Sequence, residues 1–99
     1  MNSTITTTKL EQYSTITRDA LMQAKNAFDP QRRDSAADFY DMAQRYYDDA
    51  HYFWHTKNDL VLAFAALNYA HGSLDAGARL GLFHVSDSRL FTVDTTKKY

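Results

Sequence analysis

Apolar residues recur along most of this chain at three- and four-residue intervals, the spacing that gathers them on one side of an α-helix. The first such stripe is Leu10, Tyr13, Ala20, Leu21, Ala24, Ala27 and Phe28. Thr8 and Glu11 stand at capping-box spacing near its start, and Asp29-Pro30 closes it, because the residue before proline is pushed out of helical geometry. A helix over 8–28 is predicted. The second stripe is Ala36, Phe39, Tyr40, Ala43, Tyr46, Tyr47, Ala50, Phe53 and Trp54, with Asp38, Asp41, Gln44, Asp48 and Asp49 mostly on the opposite side. Asp34 or Ser35 suits its cap, and a helix over 35–56 follows. In Lys57-Asn58-Asp59, Asn58 suits a left-handed helix end and Asp59 the next cap. So short a link makes the flanking helices antiparallel neighbours.

The third helix, over 60–80, is apolar nearly all round. Val61, Phe64, Leu67, Leu74 and Ala78 form one side, and Ala63, Ala66, Ala70, Ser73 and Gly77 another. Such a helix is expected between neighbours or in a subunit interface, its small side admitting another backbone. Gly72 and Gly77 each cost about 1 kcal/mol against alanine, so packing is expected to require both. Gly81 suits the terminator. Phe83, Val85, Leu90, Phe91 and Val93 are too apolar for a free tail. Residues 82–94 are expected to lie extended over the aromatic groups of the second helix, with 95–99 frayed. The fold class predicted is all-α: one domain over 1–99, a three-helix up-down-up antiparallel bundle with a docked C-terminal tail.

Composition narrows the function. With 11 basic against 12 acidic residues there is no cationic excess to bind nucleic acid. The chain has no cysteine, which removes disulfides, zinc-thiolate sites and thiol catalysis. No signal-peptide core or membrane span is read, the apolar run from Leu60 to Leu67 being far short of the roughly 20 residues a bilayer needs. A cytoplasmic protein is expected.

Several polar groups are candidates for chemistry. His51 and His55 share a helix face, with Asp48 one turn before, a variant of the carboxylate-histidine pairing of metal-binding bundles. His71 and Asp75 form a second pair. Folding the second and third helices back at residue 58 sets residue 51 level with about 65, so His71 lies roughly 9 Å further along at 1.5 Å per residue, and the two pairs cannot share an ion. Solvent-facing or hydrogen-bonded histidines are the stronger reading, and no metal or other cofactor is assigned. Arg79 to His84 and Arg45 to His51 have the Arg–His spacing of some helical ribonucleases, but six arginines and four histidines produce such a match by chance. Asp75 lies beside the apolar stripe of a mostly buried helix, so a partner is expected for it, with Arg45 one turn from its level. That carboxylate is read as structural, fixing helix register. Tyr40, Tyr46, Tyr47, Tyr52, Phe53 and Trp54 exceed what one narrow face buries. They serve either the core and tail docking or a patch for a partner.

The segment from Tyr47 to Phe91 resembles an archaeal family known as domain of unknown function 357. The likeness rests on Asp49-Ala50 and Tyr52-Phe53, then on the string from Ala63 to Gly77 with its Tyr69-Ala70-x-Gly72-x-Leu74-Asp75-Ala76 core, then on Gly81-Leu82-Phe83 and Leu90-Phe91. The resemblance implies a compact three-helix domain, cytoplasmic and archaeal, and supplies no activity.

The polar groups are spread along the helices and do not cluster, which favours a helical protein-interaction module, a homodimer among its forms, over an enzyme. Its expected contact residues are Tyr69, His71, Asp75, Tyr47 and Trp54, and its partner is another protein or a second copy, not a membrane or a nucleic acid. The alternative is a small metal-binding or nuclease-like enzyme using the helix-borne histidines and aspartates.

Overall fold

The computed structural model describes residues 5–91. It contains three helices, α1 (Thr7–Lys25), α2 (Arg33–His55) and α3 (Leu60–Arg79), which pack against one another, α2 with α3 most extensively. Two core clusters settle their directions. Leu10 of α1 meets Ala50 of α2 and Ala63, Ala66 and Leu67 of α3 at one end. Ala20, Leu21 and Ala24 meet Ala36, Ala43, Leu74 and Ala78 at the other. Hence α1 and α3 run the same way and α2 runs against both.

The link between α2 and α3 is as expected. Asn58 has a positive φ of 50°, and the Asp59 carboxylate accepts from the Leu62 amide at 3.0 Å. The seam between these helices is built of small side chains. Ala36, Ala43 and Ala50 recur every seven residues and are buried, as are Ala63, Ala66, Ala70 and Gly77 of α3. Small residues at that period let two helix backbones approach closely.

The ends of α1 and α2 differ from the sequence reading. Thr6, not Thr8, caps α1, its hydroxyl accepting from the Lys9 amide at 3.1 Å. The helix stops at Lys25, before the expected residue 28, because Ala27 and Phe28 pair with the tail. Phe28 and Phe83 form an antiparallel bridge, the Asp29 amide donates to Leu82 and the His84 amide to Ala27, each at 2.8 Å. α2 begins at Arg33 with no side-chain cap, so neither Asp34 nor Ser35 has that role. Asp29 organises the turn instead, accepting from the Gln31 amide at 3.0 Å and from Arg32 Nε at 2.8 Å.

Three assignments of apolar residues also change. Tyr13 lies at the edge of α1, and Ser14 and Thr17 fill its buried face. Val61 is 67 % exposed and takes no part in the core. Of the two glycines in α3, only Gly77 is required by packing within the chain. A Cβ there would approach Phe83 Cδ2 to 2.8 Å, whereas one at Gly72 would meet nothing within 4 Å.

The tail folds back on the bundle over residues 82–91. Leu82, Phe83, Val85, Leu90 and Phe91 are buried with α1 and α3, and Phe39, Tyr40 and Tyr47 of α2 pack against them. It is extended only briefly, then turns at Asp87, whose backbone oxygen accepts from the amides of Leu90 and Phe91. The Asp87 carboxylate ties this turn to α1 through Gln23 at 3.2 Å. Gly81 has a φ of 76°, which suits the sharp exit from α3. Arg32 closes that exit by donating to the carbonyls of Leu80 and Gly81, both at 2.9 Å. Val93 and the predicted frayed end lie outside the described residues.

Candidate functional site

The residues singled out from the sequence fall on two separate sides of the bundle. α1 occupies one groove between α2 and α3, and the histidine cluster lies on that side. His51 packs against Tyr47 with ring centres 4.6 Å apart, against His55 at 5.3 Å and against Trp54 at 5.7 Å. Trp54 in turn stacks on His55 at 4.5 Å. The His51 Nε2 lies 2.9 Å from the hydroxyl of Ser14 on α1. Burial, and next the neighbouring His55, hold the His51 imidazole below its ordinary pKa, with Asp48 opposing. A neutral imidazole bound to a hydroxyl joins two helices, and that is a structural arrangement. Ser14 went unnoticed in the sequence because a serine at a core-facing position of a helix looks like a weak point in the stripe. Its spacing four residues after Leu10 was the available signal.

Asp48 is exposed on α2 and accepts from Gln44 at 3.0 Å. Among the described residues, no three histidine, cysteine or acidic side chains lie close enough to hold a metal ion. Arg45 and His51 do not converge either. Arg45 pairs with Asp41 at 2.9 Å on the exposed side of α2, while His51 turns toward α1. His84 sits beyond the end of α3, 3.8 Å from Asp29.

His71 and Asp75 lie 3.8 Å apart along α3. His71 comes two turns after Phe64, which packs edge-on against Tyr13 of α1 at 5.0 Å, so it belongs to the flank nearer α1. Asp75 is half-buried, with His71 as a neighbour rather than Arg45. Its side chain is 27 % exposed, and Arg45 is held by Asp41.

Among the described residues, no helix lies in the opposite groove between α2 and α3. There Tyr69 stacks on Tyr46 of α2, ring centres 5.4 Å apart and planes inclined by 25°. This contact also supports the fold-back count, which places residue 46 level with about 70. Tyr69 is nonetheless 64 % exposed. Leu62 and Leu80, seven residues before and eleven after it, project on the same side and are 46 % and 56 % exposed. Ala65, Gly72 and Ala76 fill the intervals, Gly72 and Ala76 being exposed too. The result is an apolar strip along α3 that continues onto Met42 and Tyr46 of α2.

This architecture, three helices with the tail folded back on Phe28, covers the stretch matched by one family model, protein of unknown function (DUF357), over residues 12–83. The chain belongs to that family. The DUF357 match takes in most of α1 as well as α2 and α3, more of the chain toward its start than the resemblance read from Tyr47 onward. No curated protein and no solved structure matches the chain. Among the described residues, no helix of this DUF357 protein is long and apolar enough to cross a membrane.

Proposed function

We propose that this DUF357 protein is a helical interaction module, and that the groove of α2 and α3 opposite α1 is where it binds a protein. The observation that carries this reading is the uncovered strip of Leu62, Tyr69 and Leu80. Singly exposed apolar residues are ordinary, but a contiguous strip on one helix side marks a contact surface. The open space at Gly72 supports it. A glycine inside a helix lowers stability by about 1 kcal/mol relative to alanine, and among the described residues no contact requires one there. A neighbour that approaches the backbone closely would supply the reason.

The test is a comparison of wild type with the double variant Leu62→Gln and Tyr69→Gln, which keeps helix propensity and removes the apolar strip. Both are carried through light scattering and through affinity capture from the native cell. The expected result is a stoichiometric partner, another protein or a second copy, held by wild type and lost by a variant that still unfolds cooperatively, its Tm lowered only by the loss of the Tyr69–Tyr46 stack. Equal behaviour of the two proteins in both assays would refute the reading.

A further inference from the structure

The uncovered groove has one strongly charged edge. α2 carries two arginines against five aspartates, whereas α3 carries one residue of each sign. Asp38, Asp41 and Asp49 surround Met42 and Tyr46 in an open depression of about 470 Å³ that also includes Arg45. Asp41 takes up Arg45, so the edge keeps an excess of negative charge. Across the groove the α3 edge is neutral until Arg79 in its last turn.

We infer that the occupant of this groove is a basic amphipathic helix of a different polypeptide. The inference rests on the interaction reading above and adds the chemistry of the partner. Such a helix lays its apolar side on Met42, Tyr46 and Tyr69, and its lysines or arginines pass along Asp38, Asp41 and Asp49. Recognition of this kind is read as apolar anchors one and two turns apart, flanked by complementary charge. A second copy of this chain fits less well. Two-fold pairing lays the face on itself, and α2 and α3 together offer three arginines against six aspartates. The copies would bring together twice as many carboxylates as guanidiniums.

The probe is a synthetic helical peptide of leucine and lysine, with leucine along one side, titrated calorimetrically into the full chain. A leucine and glutamate peptide of the same pattern is the control. The lysine peptide is expected to bind one to one, and the glutamate peptide at least tenfold more weakly. Affinity for the lysine peptide falls at least tenfold in the triple variant Asp38→Lys, Asp41→Lys, Asp49→Lys. It falls likewise in Leu62→Gln with Tyr69→Gln.

No binding of the lysine peptide, equal affinity for both peptides, or full binding by the triple variant overturns the inference. A wild-type dimer in light scattering that Leu62→Gln with Tyr69→Gln dissolves also overturns it, by making the occupant a second copy. The interaction reading survives that result. If the double variant changes neither peptide binding, oligomeric state nor affinity capture, both fall together.

Discussion

The two glycines of α3 respond oppositely to the same substitution. Alanine in a helix interior is favoured over glycine by about 1 kcal/mol, because glycine loses more backbone freedom on folding. At Gly72 the added methyl meets open space, so that gain stands in full. Gly72→Ala is expected to raise Tm by about 4–8 °C, the usual response of a domain this size to 1 kcal/mol. At Gly77 the methyl would overlap the ring of Phe83. That ring is fully buried and lies 5.7 Å from Phe28, and the Leu82 amide beside it donates to the Gly77 carbonyl at 2.8 Å. It has nowhere to swing. Overpacking of this kind costs roughly 1–3 kcal/mol, which offsets the propensity gain and exceeds it over most of that range. The two variants should therefore differ by about 2 kcal/mol, read from urea unfolding followed by circular dichroism. Phe83→Leu in the Gly77→Ala background should cost less than Phe83→Leu alone, since the smaller side chain makes room for the methyl. Were Gly77→Ala as stable as Gly72→Ala, or the two Phe83 substitutions equally costly, the close approach of tail and helix would be wrong.

Arg32→Ala should lower stability by about 1 kcal/mol, a charged pair of donors to Leu80 and Gly81 being worth more than this but half-exposed here. Arg32→Lys should lose most of the same amount, since an ammonium cannot reach both carbonyls as a planar fork does; urea unfolding of both variants checks this. Stability should also fall with acidity in two stages. The first belongs to His51, whose folded pKa lies below the ordinary 6.5 because burial disfavours its charge. Its contribution is complete above that pH and is lost as pH falls through the folded value, so a profile of Tm between pH 7 and pH 5 should flatten in His51→Gln. Parallel profiles would show that the histidine is not desolvated. The second stage belongs to Asp29, held below the usual carboxylate range by the Gln31 amide and then by Arg32, and to Asp87, held down first by Arg89 and then by Gln23. Their support is lost below about pH 4, and Asp29→Asn should remove part of that acid slope in the same Tm profile.

The candidate surface was half legible in advance. Tyr69 was marked from the sequence and does lie in the open groove, stacked on Tyr46. His71, Asp75, Tyr47 and Trp54 were marked with it, yet they lie away from that groove. A helical stripe tells which residues share a side of one helix, but not which of two sides its neighbours cover. α3 is greasy on both, so periodicity alone could not say that α1 covers the Phe64 and Leu67 side and leaves Leu62, Tyr69 and Leu80 in solvent. The Ser14–His51 bond was invisible for a similar reason, since it joins residues 37 apart in sequence.

The three helices, the turn at Asn58, the cap at Asp59 and the exit at Gly81 follow from the sequence, because each depends on interactions within a few residues. A left-handed φ, a side-chain cap and a 3.6-residue period are local matters. Tertiary structure decided where α1 stops. Ala27 and Phe28 have the pattern and composition to continue the helix, but the Ala27 carbonyl and the Asp29 amide that flank Phe28 are claimed by His84 and Leu82, more than fifty positions away. It likewise decided that Arg32, with no local signal to mark it, closes the far end of α3, and that Gly77 is indispensable to the packing while Gly72 is not. Those outcomes depend on which distant atoms arrive beside a residue, and a neighbour fifty residues off leaves no trace in the spacing of its own segment.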